Sequence, residues 1–197
     1  LGCRIEIPQT QFHLHCDNSL HFKLKTLFKL KHATALFLFE KEGAVAQMIH
    51  QFKYKKHQKT GVFLSKWLAN TLRESPLYSD LDYIVPVPLH PLKRKKRGFN
   101  QSEIIAKEIS KTLKVPVMNH LLIRTKNTRA LAQIGENERQ EEVKGAFELS
   151  MNLNQVSLHL LLVDDVITTG ATLTACAKVL LKNSTLKLSI AALACRL

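Results

Sequence analysis

The sequence predicts an α/β domain in which helices flank a parallel sheet, and three observations carry that expectation. The last third reads as strand, loop, helix, strand, a βαβ unit that requires a right-handed crossover between parallel strands. Ahead of it, residues 34–111 alternate between short apolar runs and stretches with helical spacing, the pattern of layered α/β folds. The composition, 45% hydrophobic and 23% charged over 197 residues, is that of a packed globular chain.

Residues 1–32 read as a small N-terminal appendage and residues 33–197 as the main domain. In the appendage Cys3, His13, His15 and Cys16 are competent zinc ligands. No CxxC pair occurs, and the adjacent His15 and Cys16 chelate one ion poorly, so a zinc site and a loosely packed lead-in both stand as readings. Residues 34–39 (TALFLF) predict a strand. Residues 43–52 predict a helix with Val45, Met48, Ile49 and Phe52 on one side. A second helix over 61–72 buries Leu64, Trp67, Leu68 and Leu72, and Ser75-Pro76 ends it. Residues 82–88 (DYIVPVP) predict a buried strand, and 90–99 a loop. Asn100 is a suitable N-cap, supported by Glu103, for a helix to about residue 111. Residues 121–124 and 146–149 are strand-like, and the polar run 125–144 predicts an exposed loop or helical excursion. The largely apolar run 158–163, then 171–181 and 186–194, supply the closing strand, helix and strand.

Charge restricts the partners. Twenty-nine Lys and Arg oppose sixteen Asp and Glu, a formal +13 with pI near 9.7, which favours polyanions. No apolar stretch approaches the roughly 18–20 residues that span a bilayer. Arg4 and Glu6 interrupt the first eight residues, unlike a secretory signal. Four cysteines, with Cys176 and Cys195 in apolar segments, form no disulfide framework. The expectation is a soluble, cytoplasmic protein.

The chemistry concentrates where the strand at 158–163 meets the next helix. Asp164, Asp165, Val166, Ile167, Thr168, Thr169, Gly170, Ala171 and Thr172 make that junction. Ligands of open parallel sheets gather at the carboxyl ends of strands, and the N–H groups opening a helix attract anions. The threonine hydroxyls add donors, and Gly170 lets backbone approach a phosphate. Paired carboxylates repel a phosphate but suit sugar hydroxyls or a divalent cation. A ribose 5-phosphate offers both halves. A nucleotide P-loop is excluded, because GxxxxGK[ST] is nowhere in the chain.

The run LLLVDDVITTGATL (160–173) resembles the phosphoribosyl pyrophosphate motif of type I phosphoribosyltransferases. The chain is also similar to the ComF family of bacterial DNA uptake, on four blocks in order: Phe52-Lys53-Tyr54, residues 85–101 (VPVPLHPLKRKKRGFNQ), Arg124-Thr125, and Arg139 followed by Gly145-Ala146-Phe147. The resemblance covers residue 34 to the end. It implies a type I phosphoribosyltransferase-like parallel sheet flanked by helices, with phosphoribosyl pyrophosphate and Mg²⁺ as ligands. Asp164 and Asp165 would hold the ribose hydroxyls directly or through Mg²⁺, and Thr168 to Thr172 the 5-phosphate. Pro88, Leu89, Lys53, Arg97 and Lys93 would meet the pyrophosphate. Arg94, Lys95 and Lys96, with Lys93, are candidates for nucleic-acid contact. Single-stranded DNA and other DNA-uptake proteins, a competence helicase included, are the implied partners. In a transferase, residues 125–144 would form the lid; no residue marks the acceptor, and His90 reads as incidental. Family members usually carry two CxxC pairs in an N-terminal zinc finger, a pattern from which this chain departs, since only Cys3 and Cys16 remain there. The alternative is a metabolic phosphoribosyltransferase acting on a nucleobase or amine with no nucleic-acid role.

Overall fold

A computed structural model describes residues 9–40, 43–54, 58–128, 134–135, 138–151, 153, 157–182 and 185–197. Four strands, β1 (Ala33–Leu38), β2 (Tyr83–Pro86), β5 (His159–Ile167) and β6 (Lys187–Cys195), pair in the order β1-β6-β5-β2 and are parallel throughout. A separate antiparallel pair is formed by β3 (Leu122–Arg124) and β4 (Phe147–Leu149).

Both faces of the main sheet are covered, which explains why residues 160–163 of β5 are all apolar. On β5, Leu160 and Leu162 face one layer, Leu161 and Val163 the other. The first layer contains α1 (Ser19–Lys25) and α7 (Ala171–Leu180), through Leu20, Leu24, Leu173 and Ala177. The second contains α2 (Ala44–Phe52), α3 (Gln58–Arg73) and α5 (Gln101–Leu113), through Ile49, Phe52, Leu64, Leu68, Ile105 and Ile109. Each fully buried leucine or isoleucine contributes about 1.5–3 kcal/mol over its exposed state. Gly61 matters because a Cβ there would lie 2.0 Å from Cε2 of Phe52. Bare backbone on α3 thus receives the Phe52 ring, which fixes the last turn of α2 and the following residue, Lys53.

The strands and helices expected from residue 34 onward are present, with one correction. The predicted loop 90–99 contains a helix, α4 (Pro91–Arg97). Pro91 opens it, Nδ1 of His90 accepts from the Leu92 N–H at 3.3 Å, and Gly98 closes it at φ 82°. The basic run hid this helix because it has no apolar periodicity. Within 125–144, α6 (Arg139–Glu142) is a short helix, and residues 129–133 and 136–137 lie outside the described residues.

The lead-in is docked on the core. Leu20 and Leu24 have no exposed surface, and Asn18 both caps α1 and donates to the Ala33 carbonyl at 2.9 Å. Of the candidate zinc ligands, Cys3 lies outside the described residues, His13 is buried, and His15 and Cys16 are exposed. Among the described residues no group of three or more His, Cys, Asp or Glu is placed to hold a metal. No described helix is long and apolar enough to cross a membrane.

At the amino end of the sheet a polar chain closes on itself. Nδ1 of buried His159 lies 2.9 Å from Asp80 Oδ1, and its Nε2 lies 2.7 Å from Ser189 Oγ. Lys31 pairs with Asp80 at 2.6 Å, and the His159 N–H donates to Asp82 at 2.7 Å.

Candidate functional site

The site follows from the connections of β2 and β5. Their pairing stops at Pro86 opposite Val163. The chain leaving β2 returns through α5 on one face, whereas β5 leads into α7 on the other. A crevice opens at such a switch point, outside the carboxyl ends of the strands. Here it is a cavity of about 200 Å³.

The acidic pair belongs to the strand rather than to a loop. β5 stays in register with β6 as far as Ile167 opposite Cys195, while β2 has already ended. Asp164 and Asp165 are therefore rigidly held on one side and open on the other. The start of α5 supplies their neighbours. Asn100 caps that helix and donates to the Val87 carbonyl at 3.0 Å. That anchor brings Ser102 Oγ to Asp164 Oδ1 at 3.2 Å and Gln101 Nε2 to Asp165 Oδ2 at 3.3 Å. Burial, then the adjacent Asp165 charge, pushes the Asp164 carboxyl well above the usual carboxylate range.

The turn into α7 lines the cavity beyond the acidic pair. Gly170 is its N-cap at φ 79°, where a Cβ would also lie 2.9 Å from Cδ1 of Leu27 and 3.1 Å from Cδ2 of Leu24. The appendage thus forms the floor of this turn. Lys23 on α1 adds a clamp, its ammonium donating to the carbonyls of Thr168 at 2.8 Å and Arg196 at 2.6 Å. Thr168, Thr169 and Thr172 are half-buried around the mouth of the cavity.

Facing the acids is a cationic wall. Lys93 and Arg97, one turn apart on α4, both line the cavity, as does Arg124 from β3. Burial, then Arg124 and Arg97, lower the Lys93 pKa. Arg124 is 9% exposed; it donates to the Thr128 hydroxyl, lies 5.2 Å over the Phe147 ring, and has an Nε with no hydrogen-bond partner among the described residues. Its own pKa is pulled down, chiefly by burial. Arg97 donates to Gln101 Oε1 at 2.8 Å, so Gln101 links the cationic wall to the acidic pair.

The structure brings together every sequence-derived ligand residue: Lys53, Pro88, Leu89, Lys93, Arg97 and the whole of 164–172 line this one cavity. It separates the rest of the basic run, since Arg94 pairs with Glu103 at 2.6 Å while Lys95 and Lys96 are exposed. Gln101, Ser102 and Arg124 also line the cavity, and Arg139 Nη1 lies 3.4 Å from Thr168 Oγ1; the sequence alone assigns none of these four a ligand role. A second cavity of about 740 Å³ adjoins the first, sharing Lys53, Asp165, Val166 and Thr168, with Phe39, Gln47 and His50 on its far side.

Comparison with known proteins decides the family. The chain is 30% identical to competence protein F of Haemophilus influenzae, over 92% of this chain and 83% of that one. It belongs to the ComF family. It is likewise 30% identical to the DNA utilization protein YhgH of Escherichia coli, over 90% of this chain and 76% of that one. The competence protein ComFC of Bacillus subtilis matches at 29% over 55% of this chain and 42% of its own length. No protein-family model matches. Among solved structures, adenine phosphoribosyltransferase of Leishmania donovani has 12% identity and a TM-score of 0.46, over 81% of this chain and 83% of that one. The ComF chain described here has a parallel sheet between two helical layers, the α/β architecture expected from the sequence.

Proposed function

We propose that this ComF protein binds phosphoribosyl pyrophosphate with Mg²⁺ in the β2–β5 crevice and acts in DNA uptake. The observation that carries the binding is charge segregation within one small cavity. An acidic pair on a rigid strand faces Lys93, Arg97 and Arg124, and the hydroxyl-rich turn into α7 lies between them. A ligand with diol and polyphosphate ends would meet both halves at once. The residues fit Mg²⁺ as well. Asp164 and Asp165 are hard oxygen donors, and their mutual repulsion falls when a divalent cation is near. Mg²⁺ would supply charge neutralisation on the pyrophosphate. The role in DNA uptake rests on the named relatives and on the +13 charge, with Lys95 and Lys96 as outward-facing cations.

Calorimetric titration with phosphoribosyl pyrophosphate and MgCl₂ tests the pocket. Saturable, Mg²⁺-dependent heat that disappears in the Asp164→Ala, Asp165→Ala double variant is expected. Absence of heat in the natural sequence, or equal heat in the variant, overturns the reading.

The second cavity favours transferase chemistry as a further reading. An acceptor there would form a bond to the anomeric carbon as the C–O bond to pyrophosphate breaks. The electron pair would leave on pyrophosphate, stabilised by Lys93, Arg97 and Arg124, and the acceptor's proton would pass to water. Pyrophosphate release across a panel of nucleobases and amines tests it; no release with any acceptor removes it.

A further inference from the structure

Among the described residues the longest helix, α3, contains no acidic residue in its 16 positions, and its solvent side is ordered by chemistry. Lys59, Phe63, Lys66, Asn70 and Arg73 are all exposed. They recur at intervals of four and three, which gathers them into one stripe roughly 21 Å long.

Phe63 is 62% exposed and meets Trp67 edge-on, with centroids 6.1 Å apart. Trp67 in turn meets the fully buried Phe37 edge-on at 5.3 Å. The exposed ring is therefore braced through a second ring to the core. Just ahead of α3, Tyr54 is 53% exposed, with the His50 ring 5.6 Å away. The intervening sequence, Lys55-Lys56-His57, is basic as well. An isolated surface phenylalanine needs no explanation. A braced ring between cations on an acid-free helix has the make-up of a surface that reads alternating negative charge and flat apolar faces. Single-stranded nucleic acid presents that alternation, whereas a duplex hides the faces of its bases.

We propose that this stripe binds single-stranded DNA, with Lys59, Lys66 and Arg73 against phosphates and Phe63 stacked on a base. The proposal rests on the DNA-handling reading above and changes where the strand lies. α4 is the poorer surface, since Lys93 and Arg97 turn into the cavity, Arg94 is paired with Glu103, and its seven residues include no aromatic.

The chain's single tryptophan, Trp67, makes a direct test available. The full chain is titrated with oligo(dT), following Trp67 emission together with anisotropy of a labelled strand across a salt series. Expected are saturable quenching and an affinity that falls with salt. Phe63→Ala should abolish the emission change and weaken binding about tenfold, with the salt slope kept. Lys59→Gln, Lys66→Gln, Arg73→Gln should lower the slope by about two, at roughly 0.7 for each phosphate no longer neutralised. Both variants should retain the natural melting temperature and the heat of phosphoribosyl pyrophosphate binding, which separates surface loss from misfolding. If the natural chain binds oligo(dT) but both α3 variants match it, the stripe is wrong and the DNA reading survives. Weakening by Lys95→Gln, Lys96→Gln alone would place the strand on α4. If the natural chain binds no oligo(dT) at about 50 mM salt, where phosphate-driven binding is strong, the DNA reading fails first and the stripe with it.

Discussion

The two ends of β5 handle polar side chains in opposite ways. At its amino end, Ser189, His159 and Asp80 line up at 2.7 and 2.9 Å, the order of a serine hydrolase triad. Yet Ser189 has no exposed surface, and each group already has its partner. At the carboxyl end two aspartates lie side by side, three cations crowd one wall, and Arg124 keeps an unpartnered Nε in a buried position. The first arrangement is resolved internally and is structural. The second packs like charges side by side and leaves Arg124 Nε without a hydrogen-bond partner among the described residues, an arrangement the proposed ligand would answer. Satisfaction of hydrogen bonds and charge distinguishes the two ends better than residue type does.

That contrast can be broken by exchanging its consequences. Asp164→Asn should cost a hundredfold or more in phosphoribosyl pyrophosphate affinity, about 2.8 kcal/mol at roughly 1.4 kcal/mol per decade. Its melting temperature should stay level or rise, because a pair of like charges is separated from its repulsion; a marked fall in stability would show that Asp164 serves the fold instead. His159→Leu should do the reverse. Leaving Ser189 and Asp80 without their shared partner costs about 2–3 kcal/mol in chemical denaturation, and ligand affinity measured on the folded protein should stay within about twofold.

Lys23→Met tests the link between appendage and site. Loss of its two carbonyl hydrogen bonds should weaken the ligand about tenfold, roughly 1.4 kcal/mol, with partial recovery in Lys23→Arg. Equal affinity in all three proteins would show that the clamp does not shape the turn.

The smallest effect is in pH. Burial lowers the pKa of His13, His21, His32 and His159 in the fold. The unfolded chain, with values near 6.5, then binds protons more readily. Stability is thus complete above that value and declines as pH falls through and below it. Asp80, held down to about 2 first by its hydrogen bond from Lys31, stays charged across that range. Melting temperature should drop between about pH 7.5 and 5.5, on either side of the unfolded histidine value, and the drop should shrink in His159→Leu when each protein is compared with itself.

Much of the fold and site is legible in the sequence. The apolar run of β5 and the glycine-threonine turn after it are local signals, so the strand, the helix and the residues that line the cavity there can be read directly. The helix of residues 91–97 is not legible, because proline and histidine at its start and glycine at its end are weaker marks than a missing apolar face. Arg124 enters the site through β3, and nothing near it in sequence announces that it will be buried beside Asp164. Gln101 and Ser102 become visible only once the Asn100 cap fixes where α5 begins. Extension of β5 through both aspartates depends on β6 remaining alongside it, a partner with no signature in residues 158–172 themselves.

The packing of Leu24 and Leu27 beneath Gly170 has a practical corollary for how the chain is divided. A fragment cut at residue 33 would keep every cavity-lining side chain yet lose the apolar support under the turn into α7. Such a fragment should express as a recognisable sheet with a loosened mouth, so minimal versions of this fold are better started before the α1 cap at Asn18.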